Sequence, residues 1–367
     1  MRPNISARRV VVAMSGGVDS SVAAALLKEQ GYEVIGVTLN LWPKLSPEEA
    51  LARHDACCSL SAVEDARRVA DKLGIPHYVL NFKDIFQTTV IEDFIREYAR
   101  GRTPNPCIRC NEFVKFEALL GRAKGLGADY LATGHYARIR YDAPADRYLL
   151  MKSADASKDQ TYVLYVLKQH QLAHILMPLG DFTKANTRKM AHQRSLPVAE
   201  KAESQEICFV PENDYGVFLL EHIPEGAKAG PIEDKQGRVL GRHKGIMFYT
   251  IGQRRGLGLT SPEPLYVTDI QAERNVIVVG PERELYHHEL IADGLNLISV
   301  ARIPGEMSVR AKIRYRSPEA DAVVRQIDEN SVHVRFAEPQ RAITSGQAVV
   351  FYQGEVVVGG ATISKWQ

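Results

Sequence analysis

The chain has 367 residues, of which 45% are hydrophobic and 25% are charged, and its net charge of +2 neither requires nor excludes a nucleic-acid partner. No apolar run approaches the roughly 20 residues of a transmembrane helix, and the five apolar residues after the basic start are too few for a signal peptide. Five cysteines exclude a disulfide scaffold, so we expect a cytoplasmic protein of two or three domains whose cysteines are free, catalytic or metal-bound.

Strand and helix signals alternate through the first part of the chain. The predicted strands are 10–14, 32–39, 77–82 and 130–133, and the predicted helices are 20–30, 61–73, 84–99 and 112–124. Such alternation requires right-handed crossovers between parallel strands. The sequence therefore predicts an α/β domain with a doubly wound parallel sheet, over residues 1–210.

The sequence SGGVDSS, residues 15–21, lies between the first predicted strand and the first predicted helix. Gly16 and Gly17 allow a tight loop whose N–H groups converge on an anion, and the helix N-terminus adds its dipole. Asp19 suits a phosphate-bound Mg²⁺ better than a bare phosphate. The loop lacks the lysine of the Walker-type loop. We interpret it as a phosphate-binding loop rather than a plain glycine turn in which Asp19 caps the helix.

The chain changes character near Pro211, after which short alternating strands and glycine turns dominate. Residues 211–280 are interpreted as a small linker domain and residues 281–367 as a C-terminal β-barrel. One predicted strand places Val309, Ala311, Ile313 and Tyr315 on one face and Arg310, Lys312, Arg314 and Arg316 on the other. The four cations suit RNA phosphates, and a merely solvated face is the alternative.

Further motifs follow the glycine loop along the chain. In order, the motifs are SGGVDSS (15–21), GRTPNPCIRCNEFVKF (101–116), ATGHYAR (132–138), KDQTYVL (158–164), SQEICFV (204–210) and YTIGQRRGLG (249–258). This is the order seen in tRNA-specific 2-thiouridylases, and the chain resembles that family over nearly its whole length. The resemblance implies an adenine nucleotide alpha hydrolase-like catalytic domain and a tRNA-binding barrel. It implies a tRNA-uridine 2-sulfurtransferase that uses ATP to replace O2 of the wobble uridine (U34) with sulfur.

The resemblance also implies site residues and partners. It implies an ATP site at Ala13, Met14, Ser15, Gly16, Gly17, Val18, Asp19, Ser20, Leu39 and Gly134. It implies contacts with tRNA or the target base from Asn105, Pro106, Cys107, His135, Lys158, Asp159, Gln160, Arg314, Tyr315 and Gln347. ATP and Mg²⁺ are the expected cofactors, and a tRNA with a wobble uridine, a persulfide sulfur-carrier protein and an external thiol reductant are the expected partners.

Two of these residues also fit a local structural role. His135 fits a surface histidine at a strand end. Ser157 and Gln160 form a capping-box pattern for a predicted helix over 159–169.

The sulfur chemistry depends on cysteines. The oxygen on C2 of uracil leaves poorly, and transfer of AMP to it would create a good leaving group for attack by sulfur. The resemblance implies a persulfide on Cys208, which Cys110 attacks, leaving a disulfide that an outside thiol reduces. Cys57 and Cys58 are expected to be small buried side chains.

Cys107 stands where better-known members of the family carry aspartate, in a CxxC pattern with Cys110. With Cys208, these cysteines could instead hold a [4Fe–4S] cluster with one open iron. A small-molecule ATP-pyrophosphatase ligase and a non-catalytic RNA-binding module are further alternatives.

Overall fold

The computed structural model describes residues 8–41, 60–203, 207–210 and 214–366, so Cys57 and Cys58 and the start of the 204–210 motif lie outside the described residues. The chain divides into two compact units. The first contains Met1–Val90, Cys107–Asn213 and Glu355–Val357, and the second contains Ile91–Pro106, Asp214–Gly354 and Val358–Gln367. Residues 91–106, which the sequence-based assignment leaves in the catalytic domain, therefore pack with the second unit.

The first unit is built on a five-stranded sheet in the order β3-β2-β1-β4-β7. The strands of this unit are β1 (Arg9–Ala13), β2 (Glu33–Asn40), β3 (His77–Asn81), β4 (Tyr130–Ala132), β5 (Ala137–Asp142), β6 (Arg147–Lys152) and β7 (Ile175–Leu176). Every pairing in the five-stranded sheet is parallel, which confirms the predicted architecture. Strand order reverses between β1 and β4, and ligands of open α/β sheets bind at such switch points.

The first unit also contains helices. They are α1 (Val18–Glu29), α2 (Leu60–Leu73), α3 (Lys83–Phe86), α5 (Pro106–Arg109), α6 (Leu120–Gly125), α7 (Gln169–Leu172) and α8 (Lys184–Gln193); α4 (Glu92–Ala99) belongs to the second unit. π-helical segments Gln87–Ile91 and Cys110–Leu119 interrupt the two predicted long helices. Val10 and Val12 of β1 are fully buried against Val22 and Ala23 of α1 and Val69 of α2, because a central parallel strand is covered on both faces.

The predicted helix over 159–169 is wrong. Residues Thr161–Val163 form a single 3₁₀ turn, and α7 begins only at Gln169. The side chains expected to cap the helix are used elsewhere: Gln160 Oε1 accepts a hydrogen bond of 2.8 Å from Tyr136 N, and the Ser157 hydroxyl donates one of 2.6 Å to Asp155 Oδ1. These polar groups fix the loop to neighbouring segments, so they do not start a helix.

The second unit contains a four-stranded sheet and a barrel. The sheet has the order β10-β11-β8-β9, and the barrel order β12-β15-β14-β13-β16-β17 is closed by pairing of β12 with β17. The elements are α9 (Tyr215–His222), β8 (Gly230–Asp234), β9 (Val239–His243), β10 (Tyr266–Gln271), β11 (Val276–Gly280), β12 (Tyr286–Leu297), β13 (Glu306–Lys312), β14 (Ala320–Gln326), β15 (Ser331–Arg341), β16 (Ala348–Gln353) and β17 (Val356–Trp366). The predicted C-terminal barrel is confirmed. None of the described helices has the length and apolar character needed to cross a membrane.

The predicted alternating strand over 309–316 is only half correct, because β13 ends at Lys312. Beyond it, Ser317 closes a turn: its hydroxyl accepts from Arg314 N at 3.1 Å and its N–H donates to Arg314 O at 3.2 Å. As a result, Tyr315 is 38% exposed and does not point into the barrel as the predicted strand would have placed it. The guanidinium of Arg314 donates to Ala342 O at 2.7 Å and to Thr344 Oγ1 at 2.6 Å, so this arginine holds the barrel together.

Candidate active site

The loop between β1 and α1 has a backbone shape that requires glycine at position 16. Gly16 has a φ of +69°, and a Cβ at this position would lie 2.1 Å from Ala62 O. Gly17 is the extended N-cap residue of α1 and offers no side chain to the exposed N–H groups. Ser15 N donates a hydrogen bond of 3.2 Å to Ser20 Oγ, and the two hydroxyl oxygens of Ser15 and Ser20 lie 3.4 Å apart. The loop is thus preshaped at a helix N-terminus, an arrangement suited to phosphate.

The other predicted nucleotide residues surround this loop. Met14, Val18 and Leu39 are buried, and Met14 N donates to Val37 O at 2.8 Å, which joins the end of β1 to β2. Ala13, the last residue of β1, is half-buried. The structure therefore brings the hydrophobic members of the predicted set together at the carboxyl ends of the two central strands.

Gly134 follows β4 and packs on the first turn of α1. A Cβ at this position would lie 2.7 Å from Ser20 N and 2.8 Å from the carbonyl carbon of Asp19. The close approach that requires glycine here is therefore to α1 itself, and a contact of Gly134 with adenosine stays a prediction.

Replacing Gly134 with alanine should destabilise the first unit and weaken nucleotide binding. The added methyl group would push against the backbone that presents Asp19, and such overpacking costs about 1–3 kcal/mol. Urea unfolding and titration with Mg²⁺–ATP measure the two effects. Gly121→Ala in α6 is the matched control, because nothing lies within 4 Å of that Cβ position. Equal behaviour of the two variants would contradict the packing argument.

Asp19 belongs to a network of hydrogen bonds and ion pairs. Both carboxylate oxygens of Asp19 accept from Lys184 Nζ at 2.7 Å, and Tyr136 OH donates to Oδ1 at 2.8 Å. Lys184 Nζ also lies 3.3 Å from Glu203 Oε1, and Lys158 Nζ donates to Glu203 Oε2 at 2.7 Å. Burial and the charge of Asp19 raise the pKa of Tyr136, so its hydroxyl stays protonated and donates. Sequence reasoning missed Tyr136, Lys184 and Glu203.

A second lysine holds the loop from the other direction. Lys201 Nζ donates to Gly16 O at 3.2 Å and to Asp65 Oδ2 at 2.5 Å. Burial alone would raise the pKa of Asp65, but hydrogen bonds from Lys201 and Arg68 outweigh it and lower that pKa. Asp65 therefore stays ionised, and the pair fastens the loop carbonyl to α2.

His135 is not the surface histidine of the alternative interpretation. Its ring is buried, Nδ1 lies 2.8 Å from Thr133 Oγ1, and its centroid lies 5.7 Å from that of Phe116. Burial, with a smaller effect of the Lys115 charge, lowers the pKa of His135 well below its usual value, so the imidazole is neutral at neutral pH. A contact with RNA stays a prediction, and it requires this buried ring to become accessible.

The three candidate cysteines belong to the first unit, and none of them is in a disulfide. Cys107 and Cys110 lie on one helical turn: Cys107 is in α5 and Cys110 begins the π-helical segment. Cys107 is exposed, and Cys110 and Cys208 are half-buried. Within the described ranges, no three His, Cys, Asp or Glu side chains are grouped so as to hold a metal ion.

Of the predicted RNA contacts in the second unit, Gln347 and Arg314 are hydrogen-bonded within the protein and Tyr315 is exposed. Gln347 Nε2 donates to Thr103 O at 2.9 Å, and Thr103 N donates to Ser345 O at 2.9 Å, so the barrel holds the segment directly before Asn105 and Pro106. Tyr315 is exposed, whereas Arg314 is engaged by the barrel itself.

Family models and related proteins match this chain over nearly its whole length. Residues 8–212 match the family model described as the tRNA methyl transferase HUP domain, residues 216–281 its PRC-barrel domain, and residues 287–363 the aminomethyltransferase beta-barrel domain. The chain is 58% identical over 357 residues to the tRNA-specific 2-thiouridylase MnmA 2 of Caldanaerobacter subterraneus subsp. tengcongensis, covering 97% of this chain and 98% of the relative. It is 56% identical over 359 residues to the tRNA-specific 2-thiouridylase MnmA of Acetivibrio thermocellus, and the match covers 98% of this chain and 100% of that relative.

Among solved structures, a 4-thiouridine synthetase–RNA complex with bound ATP is 16% identical, covers 59% of this chain and 51% of that chain, and aligns with a TM-score of 0.35.

Proposed function

This chain belongs to the family of tRNA-specific 2-thiouridylases, and from that premise we propose that it catalyses the ATP-dependent 2-thiolation of the wobble uridine of tRNA. The observation that carries the proposal is the 58% identity to a 2-thiouridylase over 97% of the chain. The preshaped phosphate loop and the thiols of Cys110 and Cys208, all in one compact unit, provide the groups that such a reaction needs. The descriptions of the family models name methyl transfer instead, but the loop SGGVDSS favours a reaction that cleaves ATP.

The first half of the proposed reaction is adenylation. Uracil O2 attacks the α-phosphorus of ATP, a bond forms between O2 and AMP, and pyrophosphate leaves at the loop of residues 15–21. Asp19 would hold Mg²⁺, which binds through one or two carboxylates together with substrate phosphates, so a single carboxylate suits it. When bound, that ion neutralises phosphate charge. The N–H groups of the loop and of the α1 N-terminus bind and orient the phosphates.

The second half is sulfur transfer. The thiolate of Cys110 attacks Sγ of a Cys208 persulfide, the sulfur–sulfur bond breaks, and the terminal sulfur leaves as hydrosulfide after gaining two electrons. Hydrosulfide forms the new bond at C2, loses its proton, and AMP leaves with the former O2. Cys110 and Cys208 end as a disulfide, which an external thiol reduces, and a persulfide carrier protein supplies the next sulfur.

An iron–sulfur cluster on Cys107, Cys110 and Cys208 does not fit the described arrangement, in which these thiols are not grouped as a three-donor site. We therefore derive no step through a cluster.

The proposal is tested by measuring pyrophosphate release from ATP with and without tRNA that carries a wobble uridine. Release should require that tRNA, and AMP and thiolated tRNA should form in equal amounts when a persulfide donor is present. The same tRNA with cytidine at the wobble position is the control. Release without tRNA would instead indicate a small-molecule ligase, and tRNA binding without any release would indicate a non-catalytic RNA-binding module.

Charge reversal near the end of β13 should weaken tRNA binding. Arg310 pairs with Glu319 and Asp321, at 3.6 and 3.9 Å. The side chains to reverse are Arg316, which is exposed, and Lys312, whose ammonium lies 5.7 Å from the ring centroid of the exposed Tyr315. The double variant to glutamate should bind tRNA at least about tenfold more weakly at low salt, with a shallower salt dependence, because phosphate contacts release counterions. Arg310→Glu is the control and should have a smaller effect. Unchanged affinity of the double variant across a salt series would mean that this face is merely solvated.

A further inference from the structure

The phosphate loop carries no cationic side chain of its own. Residues 15–21 read SGGVDSS, without the lysine that a Walker-type loop places on the phosphates. A triphosphate is strongly negative, and its α-phosphorus must accept negative charge as pyrophosphate leaves. Any cationic side chain that binds the phosphates, in addition to Mg²⁺, must therefore come from another segment of the chain.

Two lysines reach this loop: Lys201 is bonded to Gly16 O and to Asp65 of α2, and Lys184 comes from a distant helix to Asp19. Lys184 is the first residue of α8, after the N-cap Thr183, and its own N–H donates to Asp155 Oδ2 at 2.9 Å. Its side chain is only 13% exposed, and its ammonium lies 2.7 Å from both oxygens of Asp19. Since the backbone of Lys184 is fixed at both the cap and Asp155, this ammonium is held beside the first turn of α1.

The ammonium of Lys184 has carboxylate partners before nucleotide arrives. It and the ammonium of Lys158 face the carboxylates of Asp19 and Glu203, and Asp155 accepts from the backbone N–H of Lys184. Burial would raise the pKa of Glu203, but the hydrogen bond from Lys158 and the charge of Lys184 outweigh it and lower that pKa. Glu203 therefore stays ionised and keeps Lys184 nearby when Asp19 takes another partner.

We propose that Lys184 is the phosphate-binding cation of the nucleotide site, and that its ammonium leaves Asp19 for the ATP phosphates when Asp19 binds Mg²⁺. The inference rests on the proposed use of ATP. It explains why a carboxylate is tolerated beside a phosphate loop. Without nucleotide, Lys184 neutralises the charge of Asp19. When Mg²⁺ takes the place of Lys184 on Asp19, the charges of Mg²⁺, Lys184 and Asp19 together give a net positive charge that faces the phosphates.

This role differs measurably from a structural one. In the proposed exchange, Mg²⁺ competes with Lys184 for Asp19, so removal of the ammonium should make Mg²⁺ easier to bind and phosphate harder to bind. If Lys184 only held Asp19 in position, its removal would make Mg²⁺ harder to bind.

The test uses the full chain with Lys184→Met, which keeps most of the side-chain stem, and Lys184→Arg, which keeps the charge. Lys189→Met is the control, because Lys189 is an exposed lysine of the same helix. A non-hydrolysable ATP analogue is titrated at several Mg²⁺ concentrations, and pyrophosphate release is followed with tRNA. Thermal unfolding of each variant shows whether it is folded.

We expect Lys184→Met to need less Mg²⁺ for half-maximal analogue binding, to bind the analogue more weakly at saturating Mg²⁺, and to release pyrophosphate about 10²-fold more slowly. Lys184→Arg should recover part of the rate, and Lys189→Met should match wild type. An unchanged or higher Mg²⁺ requirement for folded Lys184→Met would overturn the inference. If wild type binds the analogue but releases no pyrophosphate with tRNA, the proposed function fails, and the Mg²⁺ titration still decides the role of Lys184.

Discussion

Replacing Asp19 with alanine should reduce tRNA-dependent pyrophosphate release by about 10²–10³-fold or more and leave tRNA affinity nearly unchanged. Asp19 is the carboxylate at the first turn of α1, where it accepts from Lys184 and Tyr136. Its loss removes the proposed Mg²⁺ ligand and the partner that positions Lys184. The tRNA contacts proposed for the barrel belong to other residues, so a tRNA-binding assay should hardly respond.

A second variant and a control separate chemistry from stability. Asp19→Asn keeps an oxygen that can accept from Tyr136 but loses the charge, so its release rate should fall nearly as far with less loss of stability. Asp181→Ala is the control, because that carboxylate is 79% exposed and lies just before α8. AMP formation by Asp19→Ala at the wild-type rate, with tRNA and Mg²⁺ present, would show that the loop assignment is wrong.

Serine at Cys110 or Cys208 should abolish thiolation, whereas both variants should still release pyrophosphate. In the proposed reaction these thiols act only after adenylation, as the attacking group and the persulfide carrier, and serine can do neither. The measurement is thiolated uridine per tRNA, compared with AMP formed in a single turnover. If either variant kept wild-type thiolation, the persulfide route through that cysteine would be refuted.

Cys107→Ser is the variant that separates the two sulfur-delivery hypotheses. Cys107 is exposed and three residues before Cys110 on one helical turn. The persulfide route predicts that the variant keeps most of its thiolation activity, while a cluster with three cysteine ligands predicts loss of activity. Anaerobic purification gives an independent observation, since protein without iron or sulfide that is fully active with a persulfide donor would contradict the cluster.

The parallel sheet and the loop could be predicted from sequence because their signals are local. Val10–Val12 form a continuous buried run followed at once by SGGVDSS, and the spacing of apolar residues in 61–73 closely matches α2 (Leu60–Leu73). Local signals failed where side chains bonded outside their own segment. Gln160 bonds to Tyr136 rather than capping a helix, and Arg314 bonds to Ala342 and Thr344 after β13 has already ended.

By itself, the sequence determined the fold class and the family and located the glycine loop between β1 and α1, because each of these depends on residues adjacent in the chain or on motif order. Only the tertiary structure decided that Lys184 lies on Asp19, that Lys201 holds Gly16, and that His135 is buried and neutral. Lys184 is 165 residues from Asp19, and Lys201 is 185 residues from Gly16. Pairing over such separations leaves no periodicity or spacing in the sequence, since the crossovers of the parallel sheet alone bring these residues together.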